Sequence, residues 1–333
     1  MNWFERLTGF REETPQQVRA NLAVNDGTLT SRINGQTWKY GLLETPSLGE
    51  LRRRALLAAA PTGRISVREI VADVQELHLT TMNEGALFQV ASQFNLLEMA
   101  TPNHTPEDGI GIYQHDFTQG PSCAIAAGAG TIYRNYFAVV NGQIGQSATN
   151  QIDCLSDLGK ALGNSDNRLW EMKNGYVLAS PTGLTKISNL LGSLRENEID
   201  NLLQKLRIGV QWDTQVTLNA CKHLVSQAYC SALPVAYMEH PPQLWANFAL
   251  LVLTAAYEAT LCAAIVNMSR TGCNKVFLTL LGGGAFGNRK SWIISALYRA
   301  LRLYENFDLN IAIVSYDEPD PLVGKLVRTI SNR

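Results

Sequence analysis

The chain has 333 residues, 46% of them hydrophobic, and a formal charge of −1 from 28 basic and 29 acidic side chains. That length suits one large α/β domain or two smaller ones, and the near-neutral balance argues against a global basic field for nucleic acid or an anionic membrane. The six cysteines, Cys123, Cys154, Cys221, Cys230, Cys262 and Cys273, form no C-x-x-C pair. Neither a zinc ribbon nor a redox dithiol is signalled, and buried reduced thiols in a cytoplasmic protein are expected.

In chain order, Glu5, Arg11, Glu12 and Glu13 break up the N-terminus, so no signal peptide is expected. Pro15 to Ala23 reads as a helical arm and Thr37 to Leu43 as a strand. Ser47 to Ala60 reads as a helix, with Ser47 and Glu50 spaced as a capping box. Residues 1–60 are expected to form an extension packed on a core of residues 61–333, with an insertion near 141–206. Ile65 to Leu79 mixes strand and helix cues. Ala86 to Val90 is a short buried strand running into Ser92 to Glu98. The loop Ala100 to Thr118 carries Glu107, Asp108 and Asp116, and a loop of that length without structure of its own is functional or disordered.

Gln119-Gly120-Pro121 opens a helix of small residues. Tyr133, Arg134, Tyr136 and Phe137 read as a helix end with core aromatics and Arg134 as a phosphate contact, while Tyr136 to Val140 also has strand character. Asn141-Gly142 is a hairpin turn, Asp153 to Leu162 a short helix and Tyr176 to Ala179 a strand. Pro181 to Leu206 reads as one helix with an apolar stripe. Gly209 to Leu218 and Leu224 to Tyr237 read as strands. Pro241-Pro242 starts a long apolar helix ending near Asn267. Phe248 to Val266 is long enough to span a bilayer, but Glu258 lies mid-span and a charge there is costly, so a buried helix is expected.

Val276 to Leu281 is a buried strand, Gly282-Gly283-Gly284-Ala285-Phe286-Gly287-Asn288 a glycine loop, Ser291 to Tyr304 a helix and Asn310 to Tyr316 a second strand. A glycine loop feeding a helix N-terminus offers bare N–H groups and a positive dipole end to phosphate. Gly282-x-Gly284-x-x-Gly287 fits the dinucleotide fingerprint, but that unit normally opens its domain and Asp317 is too far on for the ribose acid. The P-loop pattern fails, because Asn288-Arg289 follows Gly287. A ligand-free turn is the remaining alternative, set against the backbone entropy of three glycines.

The stretch Gln243 to Tyr316 resembles the C-terminal half of a macrodomain, the ADP-ribose-binding fold. Tyr257 sits in the helix, Gly284-Ala285-Phe286-Gly287 in the glycine-aromatic loop and Ile311 to Tyr316 in the last strand. Upstream, Ala86 to Asn95 is similar to the strand that ends in the family's Asn. The family's glycine run after that Asn is replaced here by Leu96-Leu97-Glu98, which points to a divergent member near the poly(ADP-ribose) glycohydrolases or bacterial effector hydrolases. The resemblance implies a three-layer α/β/α fold with a mixed sheet. It also implies an ADP-ribosyl hydrolase acting on mono-ADP-ribosylated protein, in the cytoplasm or as a secreted effector in a host cytosol. It implies no cofactor and no metal, and no nucleic-acid or membrane partner; the alternatives are a non-catalytic ADP-ribose reader or an NAD-dependent enzyme.

In this reading Gly282, Gly283, Gly284, Ala285, Phe286, Gly287 and Asn288 wrap the pyrophosphate, with Phe286 on the distal ribose. Asn95, Gln119 and Gly120 form the opposite wall. Breaking a bond at the anomeric carbon needs a carboxylate to stabilise an oxocarbenium-like charge, activate water or protonate the leaving group. Asp116, Asp108 and Glu98 are the candidates. Gly109 and Gly111 are expected to let the loop fold back and pair Asp108 with Asp116, a pair suited to a modified arginine. His104 and His115 flank these acids without metal-ligand spacing, Tyr229-Cys230-Ser231 is expected in the core, and no G-x-S-x-G elbow is present.

Overall fold

The structure, a computed structural model, describes residues 1–58 and 61–332. Its central sheet has seven strands, numbered within that sheet as β1 (Leu42–Glu44), β2 (Ser66–Val71), β3 (Leu87–Ala91), β4 (Gly209–Gln215), β5 (Leu224–Cys230), β6 (Lys275–Thr279) and β7 (Asn310–Ser315). Their order is β1-β4-β5-β3-β6-β7-β2. The run from β5 to β2 is parallel, and β4 and β1 continue it antiparallel, so the sheet is mixed.

Successive side chains on a strand point to opposite faces, and both faces are covered. The Phe88 ring stacks on His78 of helix Val74–Leu79, with centroids 3.8 Å apart. The next residue, Gln89, donates to Thr260 of the long helix Pro242–Thr271 at 3.0 Å. Tyr229 and Cys230 repeat the alternation, toward Arg134 and Thr260 respectively. One layer therefore holds Val74–Leu79, Gln119–Ala126 and Gly128–Tyr136. The other holds the long helix packed on Leu48–Leu57, Pro181–Ser193 and Lys290–Leu303. This is the expected α/β/α sandwich.

The long helix is apolar all round because most of it is enclosed. It is long and apolar enough to cross a membrane, yet its apolar window is mostly buried in the fold. Glu258, buried at its centre, takes Arg52 Nε and Arg299 Nη1, each at 2.6 Å, and the Tyr304 hydroxyl at 3.3 Å. A buried charge persists only with such partners.

Local signals held at Leu48–Leu57, where Ser47 and Glu50 form both bonds of the capping box; the last residues of that expected helix, 59–60, lie outside the described ones, as does Arg333. The mixed Ile65 to Leu79 stretch resolves into β2 and Val74–Leu79. Other expectations change. Thr37 to Leu43 splits between a small sheet and β1. Tyr136 to Val140 is not a strand: Tyr136 ends a helix, and only Val139–Val140 pairs, with Gln143–Ile144. The helical period of the aromatics outweighs their β-propensity there. Pro181 to Leu206 is two helices, Pro181–Ser193 and Glu196–Leu203, because Leu194 is extended. The strands β4 and β5 stop at Gln215 and Cys230, short of Leu218 and Tyr237. The long helix runs on to Thr271, and a further helix, Pro321–Ser331, capped by Asp320, was not anticipated.

Candidate functional site

The strands β3 and β6 are parallel neighbours, with Phe88 opposite Phe277, so the loops after them leave from one edge of the sheet. Open α/β sheets bind ligands at that edge. The β6 loop is tied down from beneath. The buried Tyr257 hydroxyl donates to Thr279 O and accepts from Leu281 N–H, both at 2.8 Å, which holds the strand end and the loop start together. Asn288 Nδ2 donates to Leu233 O at 2.8 Å, and Ala236 N–H donates to Phe286 O at 3.0 Å, which fastens the loop to the segment after β5.

The glycines differ in purpose. Gly282 and Gly287 have φ of 73° and 69°, and a Cβ on them would stand 2.4 Å from Ala232 Cβ and 2.7 Å from Ala236 Cβ. Both are needed for the left-handed backbone and the close approach. Gly284 has nothing within 4 Å of a Cβ. Within the loop, Gly283, Gly287 and Asn288 N–H groups bond to loop carbonyls. The N–H groups of Gly284, Ala285 and Phe286 find no acceptor among the described residues. Three consecutive donors are thus free a few residues before the N-terminus of Lys290–Leu303, the kind of backbone that receives anions in other proteins.

The opposite wall follows β3. Gln119 closes its end: its Oε1 accepts from Ala91 N–H and its Nε2 donates to Gln89 O, both at 2.8 Å. A Cβ on Gly120 would lie 1.9 Å from Ala91 O and 3.2 Å from Glu98 Cγ, so this glycine lets the helix start press on both. Asn95 is buried; its Oδ1 accepts from Leu97 N–H and its Nδ2 donates to Gln151 Oε1. Its side chain is thus engaged within the protein.

Glu98 is only 2% exposed. Its Oε2 lies 3.5 Å from Arg134 Nη2, and its Oε1 has no partner among the described residues. Burial pushes its pKa up to about 7, against the lowering effect of Arg134. Its backbone N–H donates to the Tyr113 hydroxyl at 3.0 Å. Arg134 was expected to contact phosphate. Instead it is fully buried, donating to Leu96 O at 3.0 Å and to the Tyr229 hydroxyl at 2.5 Å, with its guanidinium 3.7 Å over the Tyr229 ring. Tyr229 in turn donates to Gln227, which donates to His78 Nε2 at 3.1 Å. His78 Nδ1 donates to Val74 O while its Nε2 accepts from Gln227, and desolvation lowers its pKa to about 4 against the raising effect of Val74 O, so this buried histidine is neutral.

The loop acids occupy turns. Asp108 is exposed and accepts from Thr105 N–H at 2.8 Å. Asp116 accepts from the N–H and hydroxyl of Thr118 at 2.9 and 2.6 Å. Glu107 accepts from Ala148 N–H. His104 bonds Thr101 and His115 bonds Gln114. Gly109 and Gly111 serve contacts with the N-terminal arm: a Cβ on Gly109 would lie 2.6 Å from Glu12 Oε2, and one on Gly111 2.5 Å from Asn2 Nδ2.

Residues that sequence reasoning did not single out bring the walls together. Tyr176, in the hairpin Trp170–Lys173/Tyr176–Ala179, donates to Met99 O at 2.5 Å and packs on Phe286 with centroids 5.4 Å apart. Tyr237 packs on Phe286 at 5.5 Å and reaches Ala100 O at 3.4 Å. The signal for Tyr176 was present, as a Tyr directly after the hairpin turn Asn174-Gly175, but nothing local says which wall it meets.

No family model matches the chain. No curated protein matches it either. Among solved structures it is similar to poly(ADP-ribose) glycohydrolase from Deinococcus radiodurans in complex with ADP-ribose, at 10% identity over 97% of this chain and 99% of that chain, with a TM-score of 0.46. The apo form from the same organism is similar at 10% identity over 87% and 92%, with a TM-score of 0.43. Poly(ADP-ribose) glycohydrolase from Thermomonospora curvata is similar at 11% identity over 91% and 93%, with a TM-score of 0.42.

Proposed function

We propose that this chain binds ADP-ribose and hydrolyses a glycosidic bond at its anomeric carbon. The observation that carries the reading is the pairing of three free backbone donors, Gly284 to Phe286, with a buried carboxyl at the neighbouring strand end, Glu98, that keeps one oxygen unpartnered. The donors suit a diphosphate. A carboxyl with a pKa near 7 suits proton transfer at neutral pH. Protonated Glu98 gives its proton to the leaving group as the bond to the anomeric carbon breaks. The carboxylate then takes a proton from the water that attacks that carbon. Asp116 is the second carboxylate of this scheme, with Asp108 further out on the same loop. The substrate class is mono-ADP-ribosylated protein, and an arginine linkage is the form an acidic loop suits. The six cysteines are free, in keeping with a reducing, cytoplasmic setting.

One observation favours the alternative of a non-catalytic reader: Glu98 is buried and ion-paired with Arg134. Calorimetry with ADP-ribose, NAD and AMP, followed by incubation with a mono-ADP-ribosylated protein, separates the readings. Binding of ADP-ribose with release from the protein, lost in Glu98→Gln with binding kept, supports the hydrolase. Binding without release supports the reader, and binding of NAD alone sinks both.

A further inference from the structure

We propose that Glu12, in the N-terminal arm, is a positioning residue of this site. The inference rests on the hydrolase reading above. Glu12 is remote in sequence from the acidic loop, yet its carboxylate takes two hydrogen bonds from that loop and a third from Tyr136. Its Oε1 accepts from Ile110 N–H at 3.1 Å and from the Tyr136 hydroxyl at 2.6 Å, and its Oε2 accepts from Gly111 N–H at 2.6 Å. The arm adds a fourth tie, from Trp3 Nε1 to Ile110 O at 3.0 Å. A carboxylate that accepts from adjacent backbone N–H groups is a strong, charge-assisted clamp.

The clamp lies close to the chemistry. Tyr113 N–H bonds to Ile110 O, in the backbone Glu12 holds, and the Tyr113 hydroxyl accepts from Glu98 N–H at 3.0 Å. The path runs from the half-buried Glu12 through the buried Ile110 and Tyr113 to the buried Glu98, and it fixes where the Glu98 backbone starts. Two features accompany those bonds. A Cβ on Gly109 or Gly111 would come within 2.8 Å of Glu12 Oε2, so a side chain at either would push the carboxylate out of its place. Burial raises the Glu12 pKa although all three of its hydrogen bonds lower it, so the carboxyl is held in the interior against its solvation.

The test uses the full chain with Glu12→Ala, Glu12→Gln and Tyr113→Phe. Turnover on a mono-ADP-ribosylated protein is resolved into kcat and KM, ADP-ribose affinity comes from calorimetry, and folding is checked by thermal melting. Glu12→Ala is expected to lower kcat about tenfold or more, with KM and ADP-ribose affinity within about threefold, because the phosphate donors lie on the other wall. Glu12→Gln, whose amide accepts at one oxygen only, should fall between wild type and Glu12→Ala. Combined with Tyr113→Phe, it should lose less than the sum of the two single effects, since both act on Glu98. An unchanged kcat in folded Glu12→Ala overturns the inference, as does a parallel fall of kcat and affinity, which marks general destabilisation. If Glu12→Ala does not fold, Glu12→Gln with its double variant decides by the same criteria. A wild type that binds ADP-ribose without releasing it from protein overturns the hydrolase reading and the inference together, and is recognised before any variant is compared.

Discussion

Replacing Glu98 by Gln gives a test of the buried carboxyl that needs no substrate. The amide is nearly isosteric with the protonated acid, so at pH 5 the two proteins present almost the same group to Arg134. The wild-type pKa rises from 4.5 unfolded to about 7 folded. A folded-state pKa above the unfolded one means the native protein binds more protons between those values, so its stability falls as pH rises through that window and levels off above about 7. At 1.36 kcal/mol per unit, the loss is about 3 kcal/mol between pH 4.5 and 8. Urea unfolding followed by tryptophan fluorescence at pH 5, 6, 7 and 8 measures it, taking the difference between wild type and Glu98→Gln to cancel every other titrating group. The variant should gain about 2.5 kcal/mol on the wild type from pH 5 to pH 8. Parallel curves, or a wild type that gains with pH, would mean that Arg134 outweighs burial, and the proton-transfer role would go with it.

The glycine loop separates fold from ligand. Gly282→Ala should destabilise the protein in thermal melts, because φ is 73° and Ala232 Cβ is in the way, whereas Gly284→Ala should leave melting unchanged and weaken ADP-ribose binding by calorimetry. Tyr257→Phe removes both bonds of a buried hydroxyl and leaves Thr279 O and Leu281 N–H only each other, and urea unfolding should show a loss of about 1–3 kcal/mol. Glu258→Ala removes the buried acceptor that Arg52 and Arg299 share, but Arg52 keeps both bonds to Asp200 and Arg299 is partly exposed, so the cost in the same assay should be about 1.5–3 kcal/mol.

What the sequence determined by itself was local. The Ser47 and Glu50 capping box, the Asn141-Gly142 turn, the apolar run that encloses Glu258 and the strand–glycine loop–helix unit are written in neighbouring residues. Short-range hydrogen bonding and hydrophobic period are enough to specify them. That Asn95, Gln119 and Gly120 form one wall was implied by the resemblance to the ADP-ribose-binding fold and by no such local signal. The tertiary structure decided which groups are free. Asn95 and Gln119 spend their polar atoms inside the protein, Asp108 and Asp116 cap turns, and Glu98 alone of the candidate acids is buried with an oxygen to spare. Arg134 is drawn from an expected surface role into the interior by Glu98, Tyr229 and Leu96 O. Glu12, Tyr113 and Tyr176 meet the site from 15 to more than 100 residues away along the chain. Their partners are set by how three layers pack around one sheet, and desolvation in that packing, rather than any motif, moves the Glu98 proton toward neutral pH.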